Sequence, residues 1–296
     1  MSESFVIGAD IGGSHITAAQ VDVHRKQVLL PSLVRLPIDS MAAAAEVIEA
    51  WAACIRQAMQ DKRLTKICLA MPGPFDYEQG ICLISDQDKY PLLYGLNVKK
   101  MLAQVLGIQP SAIYLNNDAA CFLQGEVFGG SVSGYQQVIS VTLGTGLGTA
   151  VFANGQATSA DLWNMPFKEG IAEDYLSARW FANQYTAIAG SLISGVKELA
   201  GLAMRDESVK TLFTEFGRNL GAFLIRFIEQ TGAAAVVIGG NIAQSYPLFK
   251  EALHAHIQRR FPEVPIVRSE LGELAALLGA AGFYFNHLHT IPDQKK

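Results

Sequence analysis

The chain states one short plan twice, and few folds can hold that repetition. The first copy is Phe5 to Val21, FVIGADIGGSHITAAQV, and the second is Gln137 to Ala153, QVISVTLGTGLGTAVFA. Each begins with an apolar run that reads as a buried strand, passes through a glycine turn, and continues as a second strand. Setting Gly146 on Gly12 brings Ile139 onto Phe5 and Val141 onto Ile7. Similar units far apart in one chain predict a duplicated fold, two α/β halves with a cleft between them. Bare glycine backbone lets a ligand approach closely, and its free N–H groups suit anionic oxygens. Asp10, at the mouth of the first turn, suits the metal ion that accompanies phosphates. A single DxGG hairpin is often only a turn, but two of them can grip a polyphosphate from both sides. Neither is a Rossmann fingerprint, since a strand rather than a helix follows each turn, and no Walker A loop occurs.

Composition narrows the classes. The 296 residues are enough for a substantial core, and with half of them hydrophobic and 17% charged the chain is globular. A formal charge of −4 and no Lys/Arg cluster argue against nucleic acid or an anionic membrane as partner. No signal peptide is expected, because MSESFVIGAD lacks a basic start and its apolar run breaks at Asp10. No stretch is apolar enough to span a bilayer. Cys54, Cys68, Cys82 and Cys121 form no CxxC pair and read as reduced core thiols of a cytoplasmic protein.

Between the hairpins, residues 27–34 read as strand and residues 41–60 as a helix capped by Ser40. A buried strand, 65–70, runs into Met71-Pro72-Gly73-Pro74, which cannot continue a central strand. A helix over 97–106 and a strand over 112–115 lead to Asn116-Asn117-Asp118. Asp118 stands where a strand gives way to a helix, over 119–127. It reads as the cap of that helix or as a general base for a substrate hydroxyl, and both readings stay open here. Residues 155–168 are irregular and carry Asp161, Trp163 and Asn164. Helices are expected over 173–184, 195–200 and 208–230. A strand over 233–238 enters Gly239-Gly240-Asn241, where a flat ring can lie on bare backbone, and a helix follows over 245–260. The last elements are a strand over 264–268 and a helix over 271–287, in which Gly279 and Gly282 suggest close packing and a pivot between halves. The six histidines form no metal-ligand set and read as surface residues, with His15 touching solvent near the phosphates. Trp163 suits either a sugar face or the core.

Five motifs then carry a resemblance. DIGGS at 10–14, PGP at 72–74, NDA at 117–119, LGTGLG at 143–148 and IGGN at 238–241 follow the order and spacing of the ROK family of repressors and sugar kinases. The chain resembles its kinase branch from about residue 5 to 285. The resemblance implies an α/β, actin-like ATPase (ribonuclease H-like) fold of two lobes with an interdomain cleft. Residues 1–117 plus a C-terminal helix, 271–296, would form one lobe, and 118–270 the other. It implies ATP-dependent phosphorylation of a hexose or N-acetylhexosamine, at the 6-hydroxyl, by a cytoplasmic homodimer with ATP and Mg²⁺ as cofactors. Asp10 would help place Mg²⁺, while Gly12, Gly13, Ser14, Gly144, Thr145 and Gly146 hold phosphates. Gly239, Gly240 and Asn241 would flank the adenosine. Gly73, Asn117 and Asp118 fall at sugar-contacting positions, with Asp118 as base. The family's E-x-G-H motif is replaced by Asp161 and Asn164 at its Glu and His positions, and its zinc-binding cysteine knuckle is missing. Glu173 keeps the sugar-binding Glu that follows the knuckle. No zinc is therefore expected, and the hexose preferred is left open. A sugar sensor without turnover on the same fold, or another actin-like ATPase, remains as an alternative.

Overall fold

A computed structural model of the chain describes residues 4–60, 62, 65–85 and 89–290. In chain order the first elements are β1 (Phe5–Ile11), β2 (His15–Asp22), β3 (Gln27–Val28), β4 (Val34–Pro37), α1 (Ala44–Met59), β5 (Ile67–Met71), β6 (Phe75–Asp76), β7 (Ile81–Cys82), α2 (Val98–Leu106), β8 (Ile113–Asn117) and α3 (Asp118–Gly129). They are followed by β9 (Val138–Leu143), β10 (Leu147–Ala153), β11 (Gln156–Ser159), β12 (Pro166–Phe167), β13 (Gly170–Ile171), α4 (Ala172–Tyr175), α5 (Ala178–Ala189), α6 (Val196–Leu202) and α7 (Glu207–Thr231). The chain closes with β14 (Ala235–Gly239), α8 (Tyr246–Ile257), β15 (Ile266–Arg268) and α9 (Leu274–Thr290).

The duplication is real at the level of topology. One sheet runs β3-β2-β1-β5-β8 and the other β11-β10-β9-β14-β15. In each, the hairpin is antiparallel and the next two strands are parallel to its first strand. The turn register differs from the sequence reading. Gly144, not Gly146, occupies the place of Gly12, since each directly follows the last residue of its strand. The two-residue slip keeps every side chain on its own face, so the apolar pattern is blind to it.

Other departures have local causes. Residues 27–34 do not form one strand, because a short 3-10 turn, Leu30–Ser32 with Pro31 at its second position, lies between β3 and β4. Ser40 does not cap α1. Asp39 Oδ1 accepts the Met41 N–H at 2.9 Å instead, and α1 starts at Ala44 without a side-chain cap. The helix forms through its apolar stripe, Val47, Ile48, Trp51, Ile55 and Ala58, all buried at 3.6-residue spacing.

The chain divides into two compact units, one of residues up to Gly130 together with those from Glu273 onward, the other Ser131–Gly272. The break therefore falls after Gly130 rather than after Asn117. Helix α3 stays with the first unit because it packs against α9 backbone to backbone. A Cβ added at Gly125 would lie 2.0 Å from the Ala275 carbonyl oxygen, and one at Gly279 only 1.7 Å from that of Cys121. These glycines do give close packing, but both helices belong to the same unit, so the expected pivot between halves is replaced by a fixed crossing. Gly279→Ala is expected to cost about 3 kcal/mol or more, because both colliding groups are backbone and neither can turn aside. Chemical denaturation measures this; an unchanged midpoint would show that the helices can part.

Each unit has its own core. Trp51, Ile55, Leu69 and Leu102 are central to the first. Phe181, Phe213, Phe216 and Phe249 stack through the second. All four cysteines are buried and free, and burial pushes the Cys54 thiol up to about 11. Among the described residues no helix is long and apolar enough to cross a membrane.

Candidate active site

Parallel strands carry the first set of candidates to one edge of the sheet in unit 1. Register pairs Asp10 with Ala70 and Ala70 with Asn116, so Asp10, the loop after Met71 and Asn117-Asp118 leave the sheet together. Strands end and accessible backbone begins at such edges, which is why ligands collect there. Asn117 Oδ1 accepts the Ala120 N–H at 3.1 Å, a cap worth about 1 kcal/mol. The cap is thus Asn117 rather than Asp118. Asp118 becomes the first helical residue, half-buried, with Oδ1 accepting the Ala119 N–H at 2.8 Å.

Tyr77, which the sequence reading passed over, joins these pieces. Asn117 Nδ2 donates to its hydroxyl at 3.2 Å, and the hydroxyl donates to the Met71 carbonyl at 3.3 Å. A Cβ at Gly73 would sit 2.9 Å from the same hydroxyl, so glycine there leaves the tyrosine its place. No local pattern announces Tyr77; only the folded loop brings it to Asn117.

Asp10 is the electrostatic centre of the unit. Burial first, then the charges of Asp118 and Glu273, push its carboxyl up to about 7, with Arg35 opposing them. A carboxyl under that strain is one that a cation relieves, and an oxygen donor at a strand end suits Mg²⁺. The residues present therefore fit the ion.

The first turn is closed by Gly12 N–H donating to the His15 carbonyl at 2.9 Å. His15 does not simply face solvent. Its Nε2 lies 2.7 Å from Arg35 Nη2, and its Nδ1 lies 3.0 Å from Ser14 Oγ. Arginine can only donate, so Nε2 is the acceptor and the ring proton sits on Nδ1, directed at Ser14 Oγ. Ser14 then keeps its own hydroxyl hydrogen to give elsewhere. Burial and then Arg35 hold His15 below its ordinary pKa, against Glu273, which favours the neutral ring this arrangement needs. Arg35 is itself anchored by Glu273 at 2.6 Å.

Unit 2 builds the second turn differently. Gly144 N–H donates to the Gly146 carbonyl at 3.1 Å, and the Gly144 carbonyl accepts from Ala178 N–H at 2.8 Å. Nothing lies within 4 Å of a Cβ built on Gly144, so this backbone is open. Glu173 supports the turn: Oε2 accepts the Leu147 N–H at 3.0 Å, and Oε1 meets Arg179 at 3.2 Å. Strand β14 is parallel to β9 and pairs Gly239 with Thr142. Gly240 follows with φ 84, and its Cβ would stand 2.3 Å from the Leu143 carbonyl oxygen. Only glycine fits there. Asn241 then opens a 3-10 turn. The phosphate and adenosine candidates of this unit thus share one sheet edge.

Asp161, Trp163 and Asn164 are exposed on the loop after β11. Asp161 has a left-handed backbone, φ 50, and its Oδ1 accepts a hydrogen bond from the Ser159 hydroxyl at 2.7 Å. Trp163 is 42% exposed and is not core. The Met165 carbonyl accepts the Ala172 N–H at 2.9 Å, which ties this loop to the start of α4 and hence to Glu173.

Comparison with known proteins decides the lineage. The ROK family profile matches residues 6–160, just over half of the chain. The chain belongs to the ROK family. It is 25% identical over 305 residues to the N-acetylgalactosamine kinase AgaK of Shewanella sp. (strain ANA-3), covering 93% of this chain and 94% of that one. Its structure is similar to the ROK hexokinase of Thermus thermophilus, with a TM-score of 0.77 at 24% identity over 96% of this chain and 99% of that one. It is also similar to a ROK glucokinase of Streptomyces griseus in complex with glucose and AMPPNP, with a TM-score of 0.75 at 22% identity over 94% and 98% of the two chains. The fold is the actin-like ATPase fold of these kinases.

The segment between Asn164 and Glu173 forms the short hairpin of β12 and β13. Phe167 is buried against Tyr175 and Phe223, Arg226 lies over its ring, and Lys168 Nζ donates to Asn219 at 2.6 Å. Aromatic packing thus holds the segment between Asn164 and Glu173. Among the described residues no group of three or more His, Cys, Asp or Glu is placed to hold a metal ion.

Proposed function

We propose that this ROK chain transfers the terminal phosphoryl group of ATP to a hexose or N-acetylhexosamine, at the 6-hydroxyl. The observation that carries the reading is Asp118, half-buried at the sheet edge beside Asp10, with Asn117 and Gly73 grouped around Tyr77. Asp118 takes the hydroxyl proton as the sugar oxygen bonds to the terminal phosphorus, and ADP departs with the electrons of the broken P–O bond. Gly12, Gly13 and Ser14 form one phosphate-binding turn, and Gly144, Thr145 and Gly146 form a second. Asp10 helps hold Mg²⁺, which when bound neutralises phosphate charge. Gly239, Gly240 and Asn241 flank the adenosine. Asp161, Asn164 and Glu173 contact the sugar, and the shorter acid and the amide shift which hexose is preferred.

AgaK acts on N-acetylgalactosamine by its name, and the S. griseus glucokinase is bound to glucose, so both sugar classes belong in the test. Glucose, mannose and the N-acetylated glucose, galactose and mannose amines are incubated with Mg-ATP, and ADP release is followed by a coupled assay. ADP that depends on one of these sugars is the expected result. Sugar binding without ADP would make the protein a sensor, and ADP release indifferent to sugar would make it another kind of ATPase.

A further inference from the structure

A lysine lies across the first glycine turn. A Cβ built on Gly13 would come 3.2–3.3 Å from Cε, Cδ and Cγ of Lys89, so the whole aliphatic stem runs along bare Gly13 backbone. The next residue fastens it there. The Tyr90 hydroxyl donates to the Gly12 carbonyl, and the Tyr90 N–H donates to the Ser40 carbonyl at 3.2 Å. Its ring is buried edge-on against Trp51, centroids 5.5 Å apart. Lys89 is thus carried to the turn by a residue locked into the core.

Among the described residues its charge has no counterpart. Lys89 is half-buried, and its ammonium forms no ion pair or hydrogen bond among the described residues. Holding a lysine stem in one place costs about 1.5–2 kcal/mol of rotamer freedom. A neighbouring carboxylate would offset that cost, and the described residues supply none. Two explanations remain: the stem is an apolar cover for the turn, or the ammonium awaits an anion that the turn brings. The second suits what surrounds it. Gly13 presents bare backbone, Ser14 keeps a hydroxyl hydrogen to donate, and His15 is held neutral, so it supplies no cation of its own.

We propose that Lys89 is a phosphate ligand, a compact positive charge that completes the polyphosphate subsite of the first turn. The proposal rests on the kinase reading above, with the phosphate chain of ATP as the anion. An ammonium suits this role because it can follow a phosphate oxygen as charge moves during transfer, where a fixed backbone N–H cannot.

Isothermal titration of Mg-AMPPNP and of adenosine into wild type, Lys89→Met and Lys89→Arg tests it. Methionine keeps the apolar cover and loses the charge; arginine keeps the charge. The methionine variant is expected to bind AMPPNP roughly 10- to 100-fold more weakly, with adenosine binding within about twofold of wild type. Arginine should recover most of the AMPPNP loss. AMPPNP binding unchanged in Lys89→Met, or AMPPNP and adenosine weakened alike, overturns the Lys89 assignment while leaving the kinase reading in place. A wild type that binds neither ligand removes the kinase reading and this inference with it. Thermal melts accompany each variant, and Lys89→Gln carries the same comparison if the methionine variant fails to fold.

Discussion

Asp118→Asn is expected to give a well-folded protein whose turnover falls by a few hundred-fold or more. General-base assistance is worth about 10²–10⁴ in rate, and an amide cannot take the hydroxyl proton. The fold should survive for a structural reason. An asparagine oxygen can still accept the Ala119 N–H that Asp118 Oδ1 accepts at 2.8 Å, and Asn117 remains the cap of α3. Loss of a negative charge in the first helical turn costs a few tenths of a kcal/mol. Relief of the repulsion with Asp10 acts in the opposite direction. Sugar binding by calorimetry and turnover by ADP release separate the two roles, with little change in the first and collapse of the second. Turnover at the wild-type rate would remove Asp118 as the base.

Asp10→Asn should show the opposite pairing, a more stable protein that has lost its grip on Mg-nucleotide. The folded protein holds the Asp10 carboxyl up from 3.8 to about 7, chiefly because burial disfavours its charge. Between those values the native state keeps a proton that the unfolded chain has released, so raising the pH favours unfolding. The stability associated with that proton is fully present below about pH 4 and is lost as pH passes 7. Such a shift is worth up to ~4 kcal/mol, and water reaching a half-buried carboxyl brings the expected gain of the neutral amide to ~1–3 kcal/mol. The two proteins should therefore unfold at similar denaturant concentrations near pH 4. At pH 8 the asparagine variant should hold on to a clearly higher one. Equal midpoints at pH 8 would mean that Asp10 carries no such load. On the proposed reading the gain and the loss have one origin, a carboxylate kept where it is costly so that a cation can be received there.

Much of this was readable from the chain before folding. Short alternating runs around glycines give hairpins, and the PGP and NDA segments mark strand ends, because backbone rules act over a few residues. Period-two patterns could not set the internal register, which is why Gly146 was matched to Gly12 where Gly144 belongs. Boundaries failed where local chemistry had a rival: Asp39 took the amide offered to Ser40, and Asn117 took the cap offered to Asp118. The residues missed outright were Tyr77, Arg35, Lys89 and Glu273. Arg35 and Glu273 meet His15 and Asp10 only because β4 lies on β2 and the chain returns to the first unit at residue 273. Contacts between segments more than 200 residues apart leave no trace in a local window.

The split layout of the first unit bears on how the protein is made. Residues 131–272 are continuous, so that unit's entire sequence has been synthesised before α9 begins. The unit carrying Asp10 and Asp118 must wait for its last helix, because Gly8 and Gly125 are shaped to receive the backbone of Leu277 and Ala275. Until then β1 and α3 expose an apolar seam to water, and chaperones have most to cover in that interval.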